Sequence, residues 1–114
     1  MTSDMTALPP GSAIGILGSG QLGRMLALAA ARLGFKCHVY SDVAGPAFDV
    51  CDRHTVAPYD DEAALSDFAK SIAVATYEFE NIPVATVEFL DRTVPVRPGA
   101  KALACAQDRI NEKA

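Results

Sequence analysis

A continuous apolar run, residues 13–17, is followed at once by Gly18-Ser19-Gly20-Gln21-Leu22-Gly23. No other feature constrains the fold as strongly. A strand that is apolar without alternation is buried on both faces, which calls for a parallel sheet covered by helices. Glycines at the first, third and sixth positions of the loop permit a tight turn, close approach of a ligand and close helix–strand packing. The loop amides and the N-terminus of the helix that follows attract an anion. Residues 21–33, rich in Ala and Leu, supply that helix, and Gly34 is its natural stop. The alternative reading of the loop is a tight turn that needs glycine for geometry alone.

The same alternation continues. Residues 36–40 predict a second strand, with Val39 and Tyr40 favouring extended backbone. Residues 41–52 contain Gly45-Pro46 and read mostly as loop, and residues 54–57 form a short edge strand closed by Pro58. Asp60 or Asp61 caps a helix running to about Ser71, with Leu65, Phe68 and Ala69 on one face. Residues 72–76 are a fourth strand, Pro83 opens a helix over 83–91, and residues 94–96 are a fifth strand that Pro95 confines to an edge. From Gly99 onward the chain reads helical again.

This order predicts an α/β fold: a Rossmann-like, mostly parallel sheet with helices on both faces and right-handed crossovers. With the first strand central, the second and third extend the sheet one way and the fourth and fifth the other. A topological switch then lies between strands one and four, where ligands bind at the carboxyl ends of the strands. Residues 1–12 form a flexible lead-in, 13–98 the domain, and 99–114 the start of a helix leading onward.

Composition narrows the function. A chain of 114 residues, half of them hydrophobic and 21% charged, supports one core and excludes wholesale disorder. Fourteen acids against ten bases give −4, so no basic surplus exists to hold a nucleic-acid backbone. The longest apolar run, residues 25–31, has seven members, against the roughly 18–20 a membrane span needs. No Lys or Arg precedes the first apolar segment, which argues against a secretory signal. Cys37, Cys51 and Cys105 form no CxxC pair and no zinc pattern with His38 or His54. They read as reduced thiols of a cytoplasmic protein.

Asp42 lies 19 residues beyond Gly23, the place of the acid that holds a nicotinamide dinucleotide's ribose. It also reads as a solvated turn residue before Val43-Ala44-Gly45, and the next segment favours that reading. Thr76-Tyr77-Glu78-Phe79-Glu80-Asn81 sits at the carboxyl end of the fourth strand, so Glu78 or Glu80 faces the glycine loop across the switch crevice. A carboxylate there holds sugar hydroxyls or an amine. The alternative is a solvated loop with Phe79 tucked into the core. Arg24 is either a phosphate ligand or a residue on the solvent face of its helix. Residues 107–114 are polar and helical with no stop signal, so they are either a frayed terminal helix or an element that continues.

Three runs occur together in one order: Gly-Ser-Gly-Gln-Leu-Gly-Arg-Met at 18–25, Thr-Tyr-Glu-Phe-Glu-Asn at 76–81 and Gln-Asp-Arg at 107–109. In this the chain resembles the N-terminal, pre-ATP-grasp domain of the 5-(carboxyamino)imidazole ribonucleotide synthases, ATP-grasp ligases of purine biosynthesis. The resemblance covers about residues 13–113. It implies that ATP phosphorylates bicarbonate and that the carboxyl group passes to the exocyclic amine of 5-aminoimidazole ribonucleotide, with Mg2+ supporting the phosphoryl step. It implies that Gly20, Gln21, Leu22 and Gly23 meet the substrate at the glycine loop, that Glu78 contacts it, and that Tyr77 lines the site. Arg109 reaches toward ATP, the planar cation suiting a nucleotide phosphate. The glycine loop suits the ribose 5-phosphate. No catalytic or metal-ligating residue is carried over, since those belong to ATP-grasp domains beyond this stretch, and the chain alone is expected to be inactive. The resemblance further implies a homodimer. Ser19 departs mildly from the family, which often has another glycine or a small polar residue there. A nicotinamide-binding domain of a dehydrogenase, resting on Gly18, Gly20, Gly23 and Asp42, is the competing reading, and it leaves the second and third runs unexplained.

Overall fold

The structure, a computed structural model, describes residue 9 and residues 11–78 and 82–97 of the chain. Four parallel strands, β1 (Ala13–Leu17), β2 (Lys36–Ser41), β3 (Arg53–Val56) and β4 (Val74–Tyr77), form one sheet in the order β3-β2-β1-β4. Helix α1 (Gln21–Arg32) joins β1 to β2, a 3-10 turn (Pro46–Asp49) precedes β3, and α2 (Glu62–Lys70) carries the chain across the sheet from β3 to β4. Helix α3 (Val84–Asp91) follows β4. The fifth strand is reduced to one parallel bridge, Ala75 with Val96. Pro95 has no N–H to give, but its carbonyl accepts from the Ala75 N–H, so it is tolerated at this edge.

Alternation along the strands divides the core between two faces. Ile14, Ile16, Cys37, Val39 and Val74 pack with Ala27 and Ala30 of α1. Leu17, Tyr40 and Ala75 pack with Leu65 and Phe68 of α2 and with Val87 and Leu90 of α3. Helices therefore cover both faces, as the unalternated apolar strands require. Gly15 faces α2, and a Cβ there would run into Phe68 and Ile72, so its small size lets that helix sit close to the sheet.

Local signals explain most boundaries. Asp61 caps α2, its side chain accepting from the Ala64 N–H at 3.0 Å. Leu33 closes α1, and Gly34 follows with φ +89°, a conformation that favours glycine. β4 starts at Val74 rather than at Ile72. Ile72 is still tied to α2 through Ala69, and its side chain fills the space beside Gly15. The predicted helix from Gly99 lies outside the described residues, as do residues 1–8.

Candidate functional site

β1 and β4 are neighbours, with Leu17 paired to Tyr77, and the ladder runs one step further: the Glu78 N–H donates to the Leu17 carbonyl at 3.0 Å. Glu78 is thus set beside Gly18, at the switch between the strand that leads into α1 and the strand beyond it. Its side chain shares a face with Val74 and Thr76, the α1 face. The carboxylate reaches into the glycine loop. Oε1 accepts from the Gly20 N–H at 2.9 Å and Oε2 accepts from the Gly23 N–H. The loop is built to attract an anion, and here the chain supplies one from its own β4.

Beside this pair lies a cleft of about 360 Å³. Glu78 and Gly20 form one wall, the segment after β2 forms the opposite wall, and Tyr59 closes the side. Buried Ser19 ties the walls together: its hydroxyl donates to the Val43 carbonyl at 2.9 Å and its carbonyl accepts from the Ala47 N–H at 2.9 Å. Gly45 fits against Ser19 so closely that a Cβ would strike the Ser19 backbone oxygen. The two carboxylates on the cleft, Asp42 and Glu78, are accompanied by no Lys, Arg or His among its described lining residues. Burial, with the nearby charges of Asp42 and Glu78, raises the Tyr59 phenol, so it stands as a neutral group at pH 7.

The structure brings together only part of the expected set. Gly20 and Glu78 line the cleft, and Gly23 is buried behind the Glu78 carboxylate. Gln21 and Leu22 stand exposed on the first turn of α1, outside the cleft lining. Tyr77, one residue before Glu78, points to the opposite side of the sheet, packs against the Leu17–Phe68 core and is not among the residues lining this cleft. Arg24 is half-buried in α1 and does not line the cleft. Glu80, Arg109 and Cys105 lie outside the described residues.

Asp42, Tyr59 and Ser19 were not among the expected site residues. The spacing from Gly23 carried a signal for Asp42, which is solvent-exposed, as a turn residue should be, and still borders the cleft. Tyr59 arrives after β3 with no local motif. The two described thiols offer no activated nucleophile: burial, then Asp52 and Cys51, push Cys37 up to about 11, and burial raises Cys51. Among the described residues no group of three His, Cys, Asp or Glu is arranged to hold a metal ion, and no helix is long and apolar enough to cross a membrane.

Comparison with known proteins agrees with this geometry. The family model of the ribonucleotide synthetase preATP-grasp domain matches residues 12–107. The N5-carboxyaminoimidazole ribonucleotide synthase of Brucella melitensis is 51% identical over 111 residues, which is 96% of this chain and 31% of that protein. The crystal structure of the Thermus thermophilus N5-carboxyaminoimidazole ribonucleotide synthetase superposes with a TM-score of 0.80 at 48% identity, covering 88% of this chain and 28% of that one. The Aspergillus clavatus N5-carboxyaminoimidazole synthase, solved with ADP and 5-aminoimidazole ribonucleotide, gives 0.77 at 30% identity, covering 90% and 28%. The chain therefore spans under a third of these relatives. An internal carboxylate in the glycine loop and these likenesses both disfavour the nicotinamide reading, and the chain belongs to the ribonucleotide synthetase preATP-grasp domain family.

Proposed function

We propose that this chain is the ribonucleotide-binding part of an ATP-dependent ligase that carboxylates the exocyclic amine of 5-aminoimidazole ribonucleotide. The single observation that carries the reading is Glu78, fixed at the switch crevice with its carboxylate on the cleft. Each carboxylate oxygen has two acceptor sites, and each spends one on a glycine amide. The remaining pair accepts from ribose hydroxyls or from the amine. The Aspergillus clavatus relative, solved with that ribonucleotide and ADP, supports the substrate class.

In the full-length reaction ATP transfers its γ-phosphoryl group to bicarbonate, giving ADP and carboxyphosphate. The amine then takes the carboxyl carbon and releases phosphate. The described residues supply no site for Mg2+, so none of its chemistry is assigned to them. Arg109 remains the proposed contact to ATP, and Gln21 and Leu22 remain proposed substrate contacts at the mouth of the glycine loop. We take the enzyme to be cytoplasmic, a reading supported by the free thiols of Cys37 and Cys51. A homodimer rests on the family resemblance.

The test is ADP formation by the full-length protein. It is expected to require both 5-aminoimidazole ribonucleotide and bicarbonate, and Glu78→Gln is expected to raise KM for the ribonucleotide at least about tenfold with KM for ATP unchanged. ADP formation indifferent to the ribonucleotide contradicts the proposal.

A further inference from the structure

The three glycines of the loop serve Glu78 before they serve any ligand. A Cβ at Gly18 would collide with Glu78 Cγ, one at Gly20 would stand 2.7 Å from Glu78 Oε1, and one at Gly23 would stand 2.7 Å from Glu78 Oε2. In a dinucleotide site the second glycine makes room for a pyrophosphate. Here the same room is filled by a side chain from the same protein. Two of the loop amides that an anion would draw on, those of Gly20 and Gly23, already donate to Glu78.

A second observation points the same way. The cleft beside the loop carries Asp42 and Glu78, and among the described residues no cationic side chain lines it. A phosphate entering it would meet two negative charges and no free amide at Gly20 or Gly23. A ligand face rich in O–H or N–H donors meets acceptors instead.

We propose that the glycine loop is a carboxylate clamp: Gly18, Gly20 and Gly23 are positioning residues that hold Glu78 in place of a phosphate, so the cleft receives the donor-bearing side of its ligand and turns phosphate away. The clamp itself stands whatever the ligand. Its consequence for the ribonucleotide, whose 5-phosphate must lie away from the glycine loop, rests on the function proposed above and replaces the expectation that the loop takes that phosphate.

Pyrophosphate is the probe. Amide spectra of the 114-residue chain are followed at Gly20 and Gly23 as pyrophosphate is added to wild type and to Glu78→Ala. Wild type is expected to show no saturable shift at these two amides. Glu78→Ala, with the cradle emptied, is expected to bind pyrophosphate at least about tenfold more tightly than wild type, read at those amides. A glutamate that did not occupy the anion cradle would not produce this gain of binding on its removal. Equal saturable shifts in both proteins overturn the proposal, and so does silence in both, since an emptied cradle must still attract an anion. Should Glu78→Ala fail to fold, Glu78→Gln without added anion decides. The Gly20 and Gly23 amide protons are expected to move upfield as the charge-assisted bonds are lost, and unchanged positions overturn the clamp. Neither arm uses the ribonucleotide, so a failure here is distinct from a failure of the proposed function.

Discussion

The Gly20 N–H donates to Glu78 Oε1 at 2.9 Å across 58 positions of sequence, joining the end of β1 to the end of β4. Two elements that meet only through the parallel sheet thus share one charge-assisted bond at the point where the strand order turns.

Alanine at Gly20 and at Gly23 separates fold from site. The atoms nearest a Gly20 Cβ all belong to the far end of the Glu78 side chain, which can swing away. Gly20→Ala is therefore expected to cost under about 1 kcal/mol of stability while weakening ribonucleotide binding several-fold. At Gly23 the Cβ would also lie 2.9 Å from the Gly18 carbonyl oxygen, which is backbone. Alanine normally gains about 1 kcal/mol over glycine inside a helix, but here the clash outweighs it, with a net loss on the order of 1–3 kcal/mol. Urea unfolding of the two variants checks the order.

Ser19 pins the far wall of the cleft to the glycine loop. Ser19→Ala removes the bond to the Val43 carbonyl and is expected to cost about 1 kcal/mol. Its sharper signature is local: the Ala47 N–H, bonded to the Ser19 carbonyl, should exchange with solvent faster than in wild type. Unchanged exchange at Ala47 would argue that the wall is held some other way.

His38 makes stability depend on pH. It is buried between β3 and α2, with Nδ1 2.6 Å from Ser71 Oγ and Nε2 2.7 Å from Thr55 Oγ1. The Ser71 hydroxyl donates to the Phe68 carbonyl, which assigns the ring proton to Nδ1 and makes Thr55 the donor to Nε2. Burial, then the charges of Arg53 and His54, lower His38 from 6.5 to about 4. The unfolded chain therefore binds a proton in that window that the folded chain refuses. The contribution is fully present above pH 6.5 and is lost as pH falls toward about 4, in total on the order of 3 kcal/mol. Unfolding midpoints across this window are expected to fall more steeply in wild type than in His38→Gln, and equal slopes would rule the effect out.

Cys37 is expected to be silent toward thiol reagents in the native chain. Its Sγ lies 3.9 Å from the Ala27 carbonyl oxygen inside the α1 face, and burial pushes it up to about 11. Site-mapped labelling should detect it only after denaturant is added. Rapid native labelling would mean that α1 opens from the sheet.

What was legible in the sequence was what period and punctuation encode. The unalternated 13–17 run, the glycine loop and Gly34 placed β1 and α1 nearly to the residue. The strand order followed from connection rules, and it put Glu78 opposite the glycine loop. The shift of β4 was not legible, because residues 72–75 are apolar and Ile72, Val74 and Ala75 are buried whichever element claims them, and the register with β1 decides. The Tyr77 placement turned on a one-residue alternation whose phase only the ladder fixes. Occupation of the loop by Glu78 was beyond the motif as well. A G-x-G-x-x-G run announces that something anionic comes close, without saying whether it is a ligand or the protein's own carboxylate.

The most direct test is an amide chemical-shift titration of the chain with 5-aminoimidazole ribonucleotide, and with NADH in a separate sample. The ribonucleotide is expected to shift residues around the cleft, Glu78, Gly20 and Val43 among them, and NADH to leave them in place. Shifts with NADH that include Asp42, with the ribonucleotide silent, would contradict it and make this a dinucleotide-binding domain.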